Sequence, residues 1–465
     1  MKILFSFLIF LFITDFSLAQ ETDLNYFLQA AEKNNPTLLQ NNNLNKIAVF
    51  NDELITAENS SFQVDATSEV MVAPYFNNNG NFLAITTTPS AYAYGYAEPV
   101  SNGSLYSAQL NITKEIFNRA KLQNLVFQNT LNEKSRQLSN TEIVHQLHKN
   151  ITAAYIQVYQ LQSQKIIAKD LISDLENRLK VLEILVKKGI LMQSDYLLLQ
   201  LEIDTKKLEI QQLDINLAAN LLVLNNAVGI KSAQIQHLSE PLLPLDLQLE
   251  EYLKLNHLQY DLSSTTSVSS NGERSTSELK NIPFNKEDTS KAYLQRKFEI
   301  DSLQLVSEQS VFNNKYKPQL TAYGTTGLNA VAVNEIPHNI GFSAGLRLIV
   351  PIYDGGQRKI RSLQNEYKTD NLKLQLQSEK LIKTNTLESL EQQISGVYEG
   401  LQLIELQLQK QHSILEIYKG KMVQGQVSII DYLKVIENYK MNLDTKLQMQ
   451  INLWLLQNEF NTTNW

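Results

Sequence analysis

The run LESLEQQISGVYEGLQLIELQLQKQHSILEIYKGKM, residues 387–422, decides how this chain folds. Leu387, Leu390, Ile394, Val397, Leu401, Ile404, Leu408, Leu415, Tyr418 and Met422 recur with a three-four spacing, only Gln411 breaks the series, and no proline intervenes. Apolar residues at the a and d positions of a heptad predict a coiled-coil helix, because a 3.5-residue repeat keeps one seam turned toward a partner. The same seam occurs earlier as Leu147, Ile151, Ala154, Val158, Leu161, Ala168, Ile172, Leu175, Leu179, Leu182 and Val186, interrupted by Lys165.

The two seams superpose at a shift of 236 residues. Residues outside the heptads pair at the same shift: Gly189 with Gly425, Asp195 with Asp431, Tyr196 with Tyr432, Leu197 with Leu433, and Ile215-Asn216-Leu217 with Ile451-Asn452-Leu453. Ile116-Phe117 likewise pairs with Ile352-Tyr353. A chance match of heptads would not align these positions, so the chain reads as an internal duplication within one elongated body. The period is too long for a solenoid.

Composition narrows the class. The 465 residues carry a net charge of −7 and no cysteine, which excludes disulfides, thiolate metal sites and a lipidated cysteine. Lysine and arginine are dispersed along the predicted helix faces, and nothing in the charge pattern points to nucleic acid. Residues 1–19 read as a secretory signal, with Lys2, an apolar run from Ile3 to Ile13 and Ser17-Leu18-Ala19 before Gln20. No later apolar run reaches the roughly 18 residues that a spanning helix needs.

Taken in order, Asp23 to Glu58 reads as a helix broken by Asn34-Asn35-Pro36. The period then changes to two: Val64, Ala66, Val70 and Val72 oppose Gln63, Asp65, Thr67 and Glu69. Residues 74–103 carry loop chemistry, and a second alternating strand follows, with Tyr106, Ala108, Leu110 and Ile112 opposed to Ser107, Gln109, Asn111 and Thr113. The heptad helix runs to Lys187-Lys188-Gly189 and reverses. The return helix starts at Ser194, with Leu197, Leu198, Leu201, Leu208 and Leu213 expected to pack back on the outgoing one and Pro241 and Pro244 expected to end it. His237 to Ser290 reads as a partly disordered linker joining the halves, with Tyr252 to Leu258 a short helical candidate and a serine- and threonine-rich linker stretch over Ser263 to Ser277.

The second half repeats the plan. It has a helix from Ser290 to Asn314, a strand from Gln319, a loop with Pro337, and a strand whose Ile340, Phe342, Ala344, Leu346, Leu348 and Val350 oppose Gly341, Ser343, Gly345 and Arg347. Asp354-Gly355-Gly356 launches the heptad helix, which reverses at Gln424-Gly425 and returns from Ser428 to Phe460. The expected divisions are a signal at 1–19, a first repeat at 20–230, a linker or equatorial region at 231–289 and a second repeat at 290–465.

Four strands of this length and alternation suit a membrane barrel, yet four strands cannot close around a polar interior. An open edge in lipid costs several kcal/mol per unpaired backbone group, so closure is expected by oligomerisation, with Gln109, Asn111 and Thr113 toward a lumen. Arg347 is expected on the same polar face, lining the lumen or at its rim.

The signal, the helix-strand-strand-helix-helix plan used twice, Asn35-Pro36, Pro351-Ile352-Tyr353-Asp354-Gly355-Gly356 and Gly425-x5-Asp431-Tyr432-Leu433 together resemble the TolC-type outer-membrane efflux family. The resemblance spans essentially the whole mature chain and rests on the order and spacing of motifs that are individually weak. It implies a mainly helical fold whose long antiparallel coiled-coil hairpins form an α-barrel tunnel, with four strands per protomer joining a trimeric, twelve-stranded transmembrane β-barrel. It implies a passive duct with no cofactor and no enzymatic chemistry. The partners implied are two further copies of the chain, outer-membrane lipid, a periplasmic adaptor and an inner-membrane pump of RND, ABC or MFS type.

By the same resemblance, Asp431 matches an acidic ring at the periplasmic entrance, where three copies would favour cations. The family's second aspartate is here Lys434, one turn away and in reach of Asp431. The alternative for Asp431, and more so for Asp195, is a first-turn carboxylate favoured by the helix dipole. Gly189 and Gly425, with Lys188 and Gln424 beside them, match the adaptor-docking tips, although any tight helix reversal favours glycine. His145 and His148 share a helix face that reads as solvated rather than metal-binding, and Trp465 follows a helix rather than a barrel strand. A secreted or surface coiled-coil structural or adhesion protein is the competing reading. It leaves four amphipathic strands unexplained. A periplasmic adaptor would carry only one helical hairpin.

Overall fold

The computed structural model describes residues 23–72, 75–77, 84–86, 93–94, 104–116, 119–231, 237–243, 293–330 and 333–465. The signal, the Tyr252–Leu258 candidate and the Ser263–Ser277 linker lie outside them. Asp23 caps α1 (Leu24–Asn34), its carboxylate accepting the Tyr26 N–H at 2.9 Å. Pro36 then opens α2 (Pro36–Ser60), where its missing N–H costs nothing. Strand β1 (Gln63–Val72) is followed by three short strands, β2 (Tyr75–Asn77), β3 (Ala84–Thr86) and β4 (Ala93–Tyr94), which pair in the order β3-β2-β4. Residues 74–103 therefore include a small sheet where only a loop was expected; strands of two or three residues are too short to show a period.

Strand β5 (Ser104–Ile116) leads to α3 (Arg119–Lys187), an uninterrupted helix of 69 residues, and α4 (Gln193–Val228) returns. α5 (Tyr293–Asn314), β6 (Gln319–Ala330), a 3₁₀ turn over Val333–His338 and β7 (Ile340–Ile349) follow. The 67-residue α6 (Gln357–Val423) and α7 (Ile429–Thr463) complete the second half.

Two expectations need correction. α4 ends at Val228, well before Pro241, because Gly229 takes the left-handed conformation (φ 79°) and closes the helix. It also lies so near α1 that a Cβ there would meet Asn34 O at 2.6 Å. Asn35 secures the same junction: its side chain donates to Ala227 O at 2.8 Å and accepts the Thr37 N–H at 2.9 Å. On α4, Leu197, Leu201 and Leu208 are more than half exposed and Leu198 is 38% exposed, while Leu199 and Ile203 are buried. Leucines saturate several faces of this helix, so composition alone did not identify the packed one.

The chain divides into two compact units, each drawing on both halves of the sequence. The first comprises Met1–Asn41, Asn140–Ser290 and Glu379–Trp465. It holds the heptad seams: Ile151, Val158, Ala168, Ile172, Leu175, Leu182, Leu390, Ile394, Ile404, Leu408 and Met422 are all buried. The interruption Lys165 is ion-paired with Asp214. The second unit comprises Asn42–Ser139 and Lys291–Ser378 and contains the main sheet. Its helices are joined by amide contacts, such as Asn129 Nδ2 to Asp52 at 2.8 Å and Asn365 Nδ2 to Gln309 at 3.0 Å.

The main sheet is antiparallel in the order β1-β5-β6-β7. Opposed residues of an antiparallel pair share a face. Val64 meets Ile112, Ala66 meets Leu110, Ala108 meets Leu328, and Thr326 meets Phe342, so the apolar residues gather on one side. That side is exposed, with Val64 at 59% and Phe342 at 89%. A solvated core sheet would cover it.

Candidate functional site: two helix reversals and a polar strand face

Both reversals are built the same way. Gly189 (φ 70°) donates its N–H to Val186 O at 2.9 Å while Ile190 donates to Leu185 O at 2.9 Å. Gly425 (φ 69°) donates to Met422 O at 3.0 Å while Gln426 donates to Lys421 O at 3.0 Å. These paired bonds satisfy the last carbonyls of α3 and α6 and need a left-handed residue, which glycine supplies without strain. A Cβ at Gly189 would meet nothing within 4 Å, and one at Gly425 would meet only Ile190 Cγ2 at 3.7 Å. Conformation, not crowding, sets the choice. Lys188 and Gln424 stand exposed beside them.

One core supports both reversals. Ile172, Leu175 and Leu182 of α3, Leu199 and Ile203 of α4, Met422 of α6, and Ile429, Tyr432 and Ile436 of α7 form a single buried cluster. Tyr432 is fully buried; burial, reinforced by the Asp174 carboxylate, pushes its hydroxyl up to about 12.

Asp431 is exposed in the first turn of α7. Its carboxylate accepts the Ser428 hydroxyl at 2.7 Å, and its N–H donates back to Ser428 Oγ at 3.1 Å. Lys434 is also exposed and makes no ion pair with Asp431, leaving both charges open to solvent. Asp195 instead accepts the Met192 N–H at 3.2 Å, a capping contact.

The polar strand face carries a side-chain ladder across three strands. Asn111 Nδ2 donates to Asp65 at 3.1 Å and to Thr67 at 2.9 Å, and Asn111 Oδ1 accepts from Thr325 at 3.2 Å. Gln109 faces Thr67, and Thr113 faces Gln63 and Tyr323. Arg347 opposes Thr321 and lies 5.6 Å from the Tyr323 ring centre. All four expected lumen residues thus share one surface.

Neither the scan against family models nor the search of curated proteins gave a match. Solved structures did. VceC from Vibrio cholerae, an outer membrane protein, superposes with a TM-score of 0.61 at 13% identity, over 95% of each chain. The Campylobacter jejuni outer membrane channel CmeC gives 0.62 at 12% identity, covering 95% of this chain and 85% of its own. The outer-membrane channel OprN gives 0.63 at 11% identity, covering 95% and 89%.

The chain has the fold of outer-membrane channels.

Within that channel fold, two histidines differ from expectation. His145 stacks on Trp465 at 4.4 Å and lies 3.1 Å from Thr462 O, and His148 sits 3.3 Å from Glu32. Neither is on a solvated face; burial lowers the pKa of both. The described residues contain no cluster suited to a metal. Tyr432 was readable only as a repeat partner of Tyr196 and as part of the Gly425-x5-Asp431-Tyr432-Leu433 motif, since an aromatic next to an aspartate carries no burial signal of its own.

Proposed function

We propose that the chain is one protomer of a homotrimeric exit duct in the outer membrane of a Gram-negative cell, extending into the periplasm. Three four-stranded sheets would close a twelve-stranded barrel, and the duplicated hairpins, in repeats at 20–230 and 290–465, would form the tunnel. The observation that carries this reading is the main sheet itself. Its apolar face is exposed, and among the described residues its outer strands β1 and β7 each lack a second neighbour. In hydrocarbon, open edges cost several kcal/mol per backbone group, and further copies of the same sheet remove them. No described helix is long and apolar enough to cross a membrane.

The tips at Gly189 and Gly425, flanked by Lys188 and Gln424, are read as docking points for a periplasmic adaptor, which would link the duct to an efflux or type I secretion pump. Asp431 and Lys434 are read as the entrance charges, three of each around an axis, and the duct is read as non-enzymatic. A coiled-coil adhesion protein has no use for an exposed apolar sheet.

The test is detergent extraction, native mass and planar-bilayer conductance. A trimer with cation-preferring conductance, losing that preference in Asp431→Ala and strengthening it in Lys434→Ala, is expected. A water-soluble monomer without channel activity would sink the duct.

A further inference from the structure

The main sheet is electrically lopsided. No lysine or arginine occurs between Lys46 and Lys114, or between Lys317 and Arg347. These intervals contain β1, most of β5 and β7, and all of β6. Cations crowd instead where the sheet meets its helices: Lys114 near the end of β5, Arg119 and Lys121 just after it, Lys315 and Lys317 just before β6, and Arg358, Lys359 and Arg361 in the first turns of α6, whose Gln357 and Arg358 lie beside Tyr316.

Three of them are neutralised. Lys121 pairs with Glu115 at 2.9 Å, Arg358 with Asp354 at 2.6 Å and Arg361 with Glu308 at 3.0 Å. Lys114, Arg119, Lys315, Lys317 and Lys359 have no carboxylate partner among the described residues. Arg119, Lys315, Lys317 and Lys359 are exposed. Local helix physics accounts for Lys315 and Lys317, which follow the C-terminus of α5. It does not account for Arg119 or Lys359, because first turns favour carboxylates and α3 and α6 have none there. Residues that break a local rule mark places where something else is recognised.

Amphipathic aromatics share this junction. Phe62, 65% exposed, lies on the apolar face with Lys114 Nζ 4.4 Å from its ring centre. Beyond β7, Ile352 and Tyr353 are 96% and 87% exposed. Apolar surface ending in exposed aromatics and then in flexible cations is the sequence of layers that a bilayer presents in reverse: hydrocarbon, interface, phosphate.

We propose that Lys114, Arg119, Lys315, Lys317 and Lys359 form a collar that holds the phosphates of glycerophospholipid headgroups in the leaflet at the helix end of the sheet. The lysine ammonium groups act there as point charges on phosphate, and the Arg119 guanidinium adds a planar fork. The loop end, bare of lysine and arginine, offers the opposite leaflet no such contact, so the collar also fixes which way the sheet faces. The inference rests on the membrane placement proposed above.

The test compares the full-length chain with Lys315→Gln/Lys317→Gln/Lys359→Gln and with a control, Lys169→Gln/Lys380→Gln/Lys410→Gln, whose residues are exposed elsewhere. Phosphatidylglycerol is titrated into detergent-purified protein, bound lipid is counted by native mass spectrometry, and conductance is recorded in parallel. The collar variant should bind phosphatidylglycerol at least about tenfold more weakly, since each cation near an anionic surface contributes several-fold. It should still form channels, and the control should bind like wild type. Equal binding by the collar variant with channels intact would overturn the collar alone. Displacement of the lipid by an equal concentration of inorganic phosphate would also overturn it, marking a free-anion site. Absence of channels in wild type would overturn the duct and the collar together.

Discussion

The reversal at Gly189 and the reversal at Gly425 have the same backbone and different side-chain support. Both place glycine at φ near 70° and close two reverse hydrogen bonds. Three residues on, the first has Met192, which has no side-chain oxygen to offer the helix, whereas the second has Ser428, which binds the Asp431 N–H and carboxylate. One residue after each aspartate, Tyr196 is half-buried while Tyr432 is completely enclosed. Identical turn chemistry is therefore capped in two ways over one shared core, by Asp195 on the Met192 N–H at the first reversal and by Ser428 on Asp431 at the second, and only the second encloses its tyrosine.

That contrast can be broken by experiment. The largest effect is expected from Tyr432→Ala, which empties a fully enclosed site and should cost about 3 kcal/mol or more, against about 1 kcal/mol for Tyr196→Ala. Hydrogen exchange of the tip amides reads both, and equal costs would erase the difference between the two tyrosine sites.

Next comes alkaline pH. The Tyr432 hydroxyl ionises near its ordinary value of 10.0 when unfolded and at about 12 when folded. Its stabilising contribution is therefore complete below pH 10 and declines as pH rises toward 12. Tyr398 shifts in the same direction, so the quantity to measure is the wild-type decline minus that of Tyr432→Phe. A Tyr432→Phe protein with an unchanged alkaline profile would show that this hydroxyl does not titrate on unfolding.

Gly189→Ala and Gly425→Ala should each cost roughly 1 kcal/mol, because a side chain is forced into the left-handed region and neither meets a clash. Unequal costs would show that the two turns are less alike than their angles. The smallest effects concern the caps. Ser428→Ala should lose about 1 kcal/mol of tip protection, and Met192→Ser should gain up to about that amount by giving the first tip the second one's cap.

Much of the architecture was legible because it depends on period. The three-four spacing from Leu387 to Met422 is a property of successive residues, and it survives whatever the helix packs against. Alternation in β1, β5 and β7 was legible for the same reason, as were Gly189 and Gly425, whose conformational demand is local. The leucines of α4 were not, since Leu197 and Leu199 are equally apolar and only the neighbouring helices distinguish them. The contacts of His145 with Trp465 and of His148 with Glu32 join residues more than a hundred positions apart, and no spacing rule reaches that far.

The candidate site divides the same way. That Gln109, Asn111, Thr113 and Arg347 lie on polar strand faces follows from a two-residue period alone. That those faces coincide, with Asn111 bridging Asp65 and Thr325, was decided by antiparallel register, including that of β5 with β6, whose paired residues lie more than two hundred positions apart in sequence. By itself the sequence determined the elements, their order and the glycines at which they turn, because these are short-range consequences of backbone conformation and hydrophobic period. Only the tertiary structure decided which apolar face stays exposed, which tyrosine is sealed and which carboxylate stays at the surface, because burial is a property of what the rest of the chain brings alongside.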